Sequence, residues 1–152
     1  MRNRVGHPEV WKWAALVAVL LLSGCREVRV KTYAQGTTTV PGGNQIVVVR
    51  DTAGLEALGL HAAVRFRGEF GIVLLMGPHK RTGYRQVIES IRASDARVRV
   101  VAFEEEPADG GEASREYRTY TLWVVPNAVY RRGVHVDVVT PSNDPVAATE
   151  FP

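Results

Sequence analysis

The sequence predicts an all-β domain, mainly antiparallel, built as a sandwich or a partly open barrel with one short helix. Three observations predict it. Apolar runs of strand length recur through residues 45–140 between turn residues. Several of those runs alternate apolar and polar side chains at period two. Only one stretch, 51–60, carries the start and stop signals of a helix. Turn spacing gives six or seven strands.

The first element precedes that domain. Residues 1–12 are positively biased, and Trp13 to Leu22 form an uncharged apolar run, the length of a signal-peptide core and too short to span a bilayer comfortably. The run ends in Leu22, Ser23, Gly24 and Cys25, which looks like the lipobox of bacterial lipoproteins. Small residues there admit the signal peptidase, and the cysteine thiol carries a diacylglyceryl group. The expected product begins at Cys25 and sits outside the cytosol, lipid-anchored to the cell envelope. In a two-membrane bacterium, Arg26 in place of Asp after the cysteine points to the outer membrane. Cys25 is the only cysteine, so no intrachain disulfide forms.

Removal of residues 1–24 leaves one domain's length, enough to bury roughly two-thirds of its unfolded surface. The leader also accounts for most of the basicity. Arg2, Arg4 and Lys12 against Glu9 make +2 of the chain's +3, which leaves +1 for the rest. That is too little for the concentrated basic face that nucleic acid requires.

Residues 26–44 are polar, with Thr37, Thr38, Thr39 and then Pro41, Gly42 and Gly43, and read as a flexible tether. An edge strand through Val28, Val30 and Thr32 is the other reading. Ile46 to Val49 is a strand. Asp51 stands where an N-cap would, and Leu55, Ala57, Leu58 and Leu60 mark a helix weakened by Gly54 and ended by Gly59. The alternation Val64-Arg65-Phe66-Arg67 suggests the start of the next strand, with Gly68 and Glu69 as the break before Phe70.

Gly71 to Met76 is an apolar run suited to a strand covered on both faces. A turn-rich loop follows: Gly77, Pro78, His79, Lys80, Arg81, Thr82 and Gly83, then a second β-rich run from Tyr84. Past it, Tyr84, Gln86 and Ile88 share one face, and Ile91 joins that register only across a bulge after Ile88. Ser94 and Asp95 read as a hairpin turn. Val98, Val100 and Ala102 then face inward and Arg97 and Arg99 outward. Glu104, Glu105 and Glu106 read as a solvated face, and 108–114 as a flexible loop. From 115 to 125, Tyr117, Thr119, Thr121, Trp123 and Val125 take one side, and Arg118, Tyr120, Leu122 and Val124 the other, which makes a central strand. Val134, Val136 and Val138 form the last strand, and 141–152 reads as a frayed tail.

Gly77, Thr82, Gly83 and Tyr84 after a buried apolar strand, with spaced aliphatics beyond, resemble the C-terminal domain of the protease complex subunit PrcB family. The family loop reads Thr-Gly-Gly-Tyr, whereas Gly83 here is followed directly by Tyr84. The run from Tyr120 to Pro126 also resembles the family's Pro-Tyr, aliphatics and Val-Pro, with Thr119 in place of the proline. The resemblance covers roughly 45–139. It implies a secreted or lipid-anchored accessory protein associated with a surface protease, with no catalytic residues of its own. Because the loop is braced by two strands, Gly77 to Tyr84 is expected to be a partner-binding loop, its positive tip His79-Lys80-Arg81 meeting an acidic partner surface or phospholipid headgroups.

Enzymatic signatures are weak. The 77–83 loop lacks the Gly-Lys-Ser/Thr of a phosphate loop, and no Gly-x-Ser-x-Gly elbow surrounds Ser90, Ser94, Ser114 or Ser142. His135 and Asp137 share a strand face, with His79 or His61 as a third metal ligand only if folding brings one in. The expectation is a non-catalytic binding or accessory module without metal or cofactor, its partners membrane lipid through Cys25 and an extracytoplasmic protease or envelope protein. A purely structural envelope lipoprotein is the alternative.

Overall fold

The computed structural model describes residues 31–94, 96–129 and 131–152. The signal-peptide segment, the lipobox and Cys25 lie outside the described residues.

Strands β1 (Lys31–Thr38), β2 (Gln45–Val49), β3 (Glu69–Arg81) and β6 (Glu112–Pro126) form one antiparallel sheet in the order β1-β6-β3-β2. Strands β4 (Arg85–Ala93), β5 (Arg97–Glu105), β7 (His135–Val139) and β8 (Pro145–Glu150) form the second, in the order β4-β5-β7-β8. Its β5-β7 pair is parallel and the others antiparallel. A helix, α1 (Thr52–Ala57), and a 3-10 turn (Asn127–Val129) complete the described elements. The fold is therefore an all-β sandwich of two sheets rather than a barrel.

Alternation builds the main core between the sheets. Ile72, Leu74 and Met76 of β3 and Trp123 and Val125 of β6 face Val98, Val100 and Ala102 of β5 and Val136 and Val138 of β7. Burying each large side chain contributes about 1.5–3 kcal/mol. The opposite pleat of the first sheet is also covered: Val49, Val73, Leu75 and Leu122 pack under Leu55, Leu60 and Val64 from α1 and the segment after it. This explains why β3 is apolar at consecutive positions, since both its faces are buried.

Local signals agree with the sequence in several places. Asp51 caps α1, its carboxylate accepting from the Gly54 N–H at 2.8 Å. Gly59, at φ +69°, ends the helical stretch in the left-handed region that favours glycine. The β4-β5 register shifts between Ile88 and Ser90, the bulge that Ile91 requires. Gly71 has a packing reason: a Cβ there would meet Val49 Cγ2 at 2.6 Å, where β2 crosses close to β3.

Four expectations are corrected. Residues 31–38 are not tether but the edge strand β1, held by β6 in a register from Lys31↔Val124 to Thr38↔Arg118. Segment 141–152 is not a frayed tail. It contains β8 paired with β7, and Phe151 is 2% exposed and packs edge-to-face on Phe70. Residues 64–67 form no strand; Val64 and Phe66 instead cap the helix-side core. Most of 77–83 is strand rather than loop, because β3 runs to Arg81 across an irregular register with β6. The strand count is accordingly eight among the described residues.

Candidate functional site

The sandwich has two distinct ends. At the lower end β1 begins, β3 begins and β6 finishes, with Lys31 opposite Val124 and Glu69 opposite Pro126. At the upper end β3 finishes, the turn through Thr82 and Gly83 leads into β4, and β5 ends in the three glutamates.

The upper end is built from polar groups at inward-facing positions. Gln86 is 5% exposed, Thr119 3% and Thr121 0%. The Gln86 amide donates to Thr119 Oγ1 at 2.9 Å and to the Leu74 carbonyl at 3.3 Å, and accepts from the Thr121 hydroxyl at 2.7 Å. Gln35 of β1 donates to Thr121 Oγ1 at 3.0 Å. The Thr119 hydroxyl donates to Glu104, whose Oε1 is also 2.8 Å from His79 Nε2. The chain of contacts thus runs from the edge of one sheet, through the interior, to the end of the other. Buried polar groups need partners because an unmade bond costs about 1–3 kcal/mol.

His79 is clamped between rings. It stacks on Tyr84, centroids 3.9 Å apart and planes 12° apart, and Tyr117 lies 5.6 Å away at 55°. The Tyr117 hydroxyl donates to the Arg81 carbonyl at 2.7 Å, which ties β6 across the turn. Partial burial pushes the Tyr84 phenol above its ordinary range; Glu106 and Glu104 raise it further and Arg81 opposes them.

The acidic triad is not a plain solvated face. Glu104 meets His79, Glu105 meets Arg85, and Glu106 meets Arg81 at 3.0 Å. Lys80 reaches Glu116 at 3.3 Å. The positive tip read from the sequence is therefore largely countered by neighbouring carboxylates, and these exposed pairs contribute little to stability individually. The backbone of the turn is held as well. The Gly77 N–H donates to Asn44 at 3.0 Å and the Thr82 N–H to the Gly111 carbonyl at 2.8 Å. Pro78 borders a shallow cleft with Pro41, Gly42 and Arg118. Arg118, 2% exposed, donates to the Val40 and Gly43 carbonyls at 3.0 and 3.2 Å, and burial lowers its pKa. Between the free edges of β1 and β4 an open cleft of about 250 Å³ reaches Gln86 and Thr119, with Gln35 and Tyr84 on its walls.

Folding does not bring the candidate metal ligands together. His135 pairs with Glu150 at 3.0 Å and Asp137 with Arg97 at 2.7 Å on the outer side of the second sheet, toward the lower end. His79 is at the upper end, and His61 is exposed after α1. Among the described residues no three His, Cys, Asp or Glu side chains gather as a metal site, and no helix is long and apolar enough to cross a membrane.

Sequence reasoning placed Gln86 on one face with Ile88 and Thr119 on one side with Trp123 and Val125, but did not join them into a site. The signal was there: polar residues standing in register with Ile88, Trp123 and Val125. The arrangement makes a braced, hydrogen-bonded end to the sandwich. Compared with protein-family models, with curated proteins and with solved structures, the chain finds no match. The fold and site define a β-sandwich whose one end is closed by a polar network.

Proposed function

We propose that this chain is a lipid-anchored extracytoplasmic protein that acts as a non-catalytic accessory module, presenting its upper end to a secreted or surface protease to assist or inhibit it. One observation carries the reading. The lipobox cysteine, Cys25, is only six peptide units before Lys31 in the sequence, so about 21 Å of chain at most separates the anchor from the sandwich. Because β1 starts at the lower end, the His79–Tyr84 turn points away from the attachment point. A braced turn held by rigid strands also presents a surface with little ordering left to do on binding.

The pairing of Lys80 with Glu116 and Arg81 with Glu106 favours a second reading, a structural lipoprotein that meets another envelope component without any protease. Photocrosslinking from position 83 in intact cells separates the two. Capture of a protease, reduced at least severalfold when Lys80→Ser and Arg81→Ser are combined, is the expected result. Capture of a non-protease envelope component selects the second reading, and unchanged capture in the double variant removes the turn from the interface.

A further inference from the structure

The connection from β1 to β2, residues 39–44, passes the upper ends of β6 and β3, because β1 and β2 are the outer strands of their sheet. Arg118 of β6 holds it there. This charged side chain is 2% exposed. Its Nε–H donates to the Val40 carbonyl at 3.0 Å, and Nη1 donates to the Gly43 carbonyl at 3.2 Å and to Gln45 Oε1 at 3.4 Å. All three acceptors are neutral. A guanidinium carries five N–H groups, and among the described residues Nη2 has no acceptor and no carboxylate pairs with the cation. Gly42 lets the backbone lie against the guanidinium, since a Cβ there would stand 2.7 Å from Nη1 and 3.1 Å from Cζ.

A buried cation is costly to hold without an anion, and an arriving anion recovers part of that cost. The cleft beside Arg118, with Pro41, Pro78, Glu116 and Tyr117 also on its walls, encloses about 90 Å³. Sites for whole small molecules hold roughly 300–1,000 Å³, so this one takes a single functional group. Charge selects the group. Glu116 pairs with Lys80 at 3.3 Å, so Arg118, Lys80 and Glu116 together sum to +1. A singly charged anion balances that sum, whereas a doubly charged phosphate exceeds it. We infer that the Arg118 cleft is a binding site for one carboxylate, the chain end or an acidic side chain of a partner polypeptide, held end-on through Nη2. Such a charge-assisted bond is among the stronger hydrogen bonds available to a protein. The inference goes beyond the accessory-module reading and needs neither the lipid anchor nor a protease.

The test titrates the full chain, in a nonionic detergent, with three anions. N-acetylglycine ends in a main-chain carboxylate, N-acetylglutamate α-amide carries a side-chain carboxylate, and inorganic phosphate is the third. NMR follows the Arg118 Nε–H and the Gly42 and Gly43 amides. Both carboxylates should saturate these shifts, with the tighter one naming the source, while phosphate and neutral N-acetylglycinamide should not. Arg118→Gln should abolish saturation. Glu116→Gln, at an exposed position that makes none of the Arg118 bonds, should tighten carboxylate binding about two- to fivefold, the size of one exposed charge interaction. Shifts that grow without saturating, as with sodium chloride, would show that Arg118 only holds residues 39–45. Saturation by phosphate alone would assign the cleft to another anion, and unchanged binding in Glu116→Gln would place the probe elsewhere. Any of these three results overturns the inference.

Discussion

The two ends of the sandwich are closed by different chemistry. Below, Phe151 meets Phe70 edge-to-face with centroids 5.2 Å apart, next to the buried Val125 and Val134. Above, Gln86, Thr119, Thr121 and Glu104 close the gap with hydrogen bonds. Apolar contact is non-directional, so the lower closure depends on volume and shape. The polar closure depends on every partner being present at the right distance, since a half-satisfied network costs more than an apolar filling. The lower end therefore supplies stability, while the upper end supplies a surface with one defined arrangement.

Three substitutions can break or sharpen that contrast. Phe151→Ala should cost about 3–5 kcal/mol in urea unfolding, the range for deleting a buried ring. A loss under 1 kcal/mol would mean that the C-terminal segment does not close the core in solution. Gln86→Leu should cost about 1–3 kcal/mol, because it leaves Thr119 and Thr121 without the amide between them. Adding Thr121→Val should return part of that loss, as Gln35 can turn to water. Strict additivity of the pair would show that the groups do not act as a network.

The smallest effect concerns pH. The folded state holds the Tyr84 proton more tightly than the unfolded chain, whose value is near 10. Stability from this group is thus complete below pH 10 and is lost as pH rises through the raised folded value. Thermal melts between about pH 9.5 and 11.5 should show a shallower decline in Tyr84→Phe than in the wild type. Parallel declines would assign the alkaline loss to other groups.

Much of the fold was legible in the sequence because its signals are local. Period two identified the inward face of β5 and separated the two sides of β6, Asp51 and Gly59 bounded the helical stretch, and the break in alternation after Ile88 located the bulge. The first error was at the edges. Residues 31–38 are mostly polar because an edge strand faces water on one side, and that composition resembles a tether. The second was at the C-terminus, where Phe151 alone among the last residues is fully buried, and a single apolar side chain sets up no period.

The sequence by itself determined the all-β class, the inward face of β5 and, through residues 13–25, the expectation of a lipid anchor. Only the tertiary structure decided which charges meet. Glu104, Glu105 and Glu106 look like a solvated run in the sequence, yet their partners His79, Arg85 and Arg81 lie some twenty or more residues away. Electrostatic and hydrogen-bond pairing depends on distance in space, and only the antiparallel return of β4 and β5 beside the end of β3 brings those groups within a few ångströms.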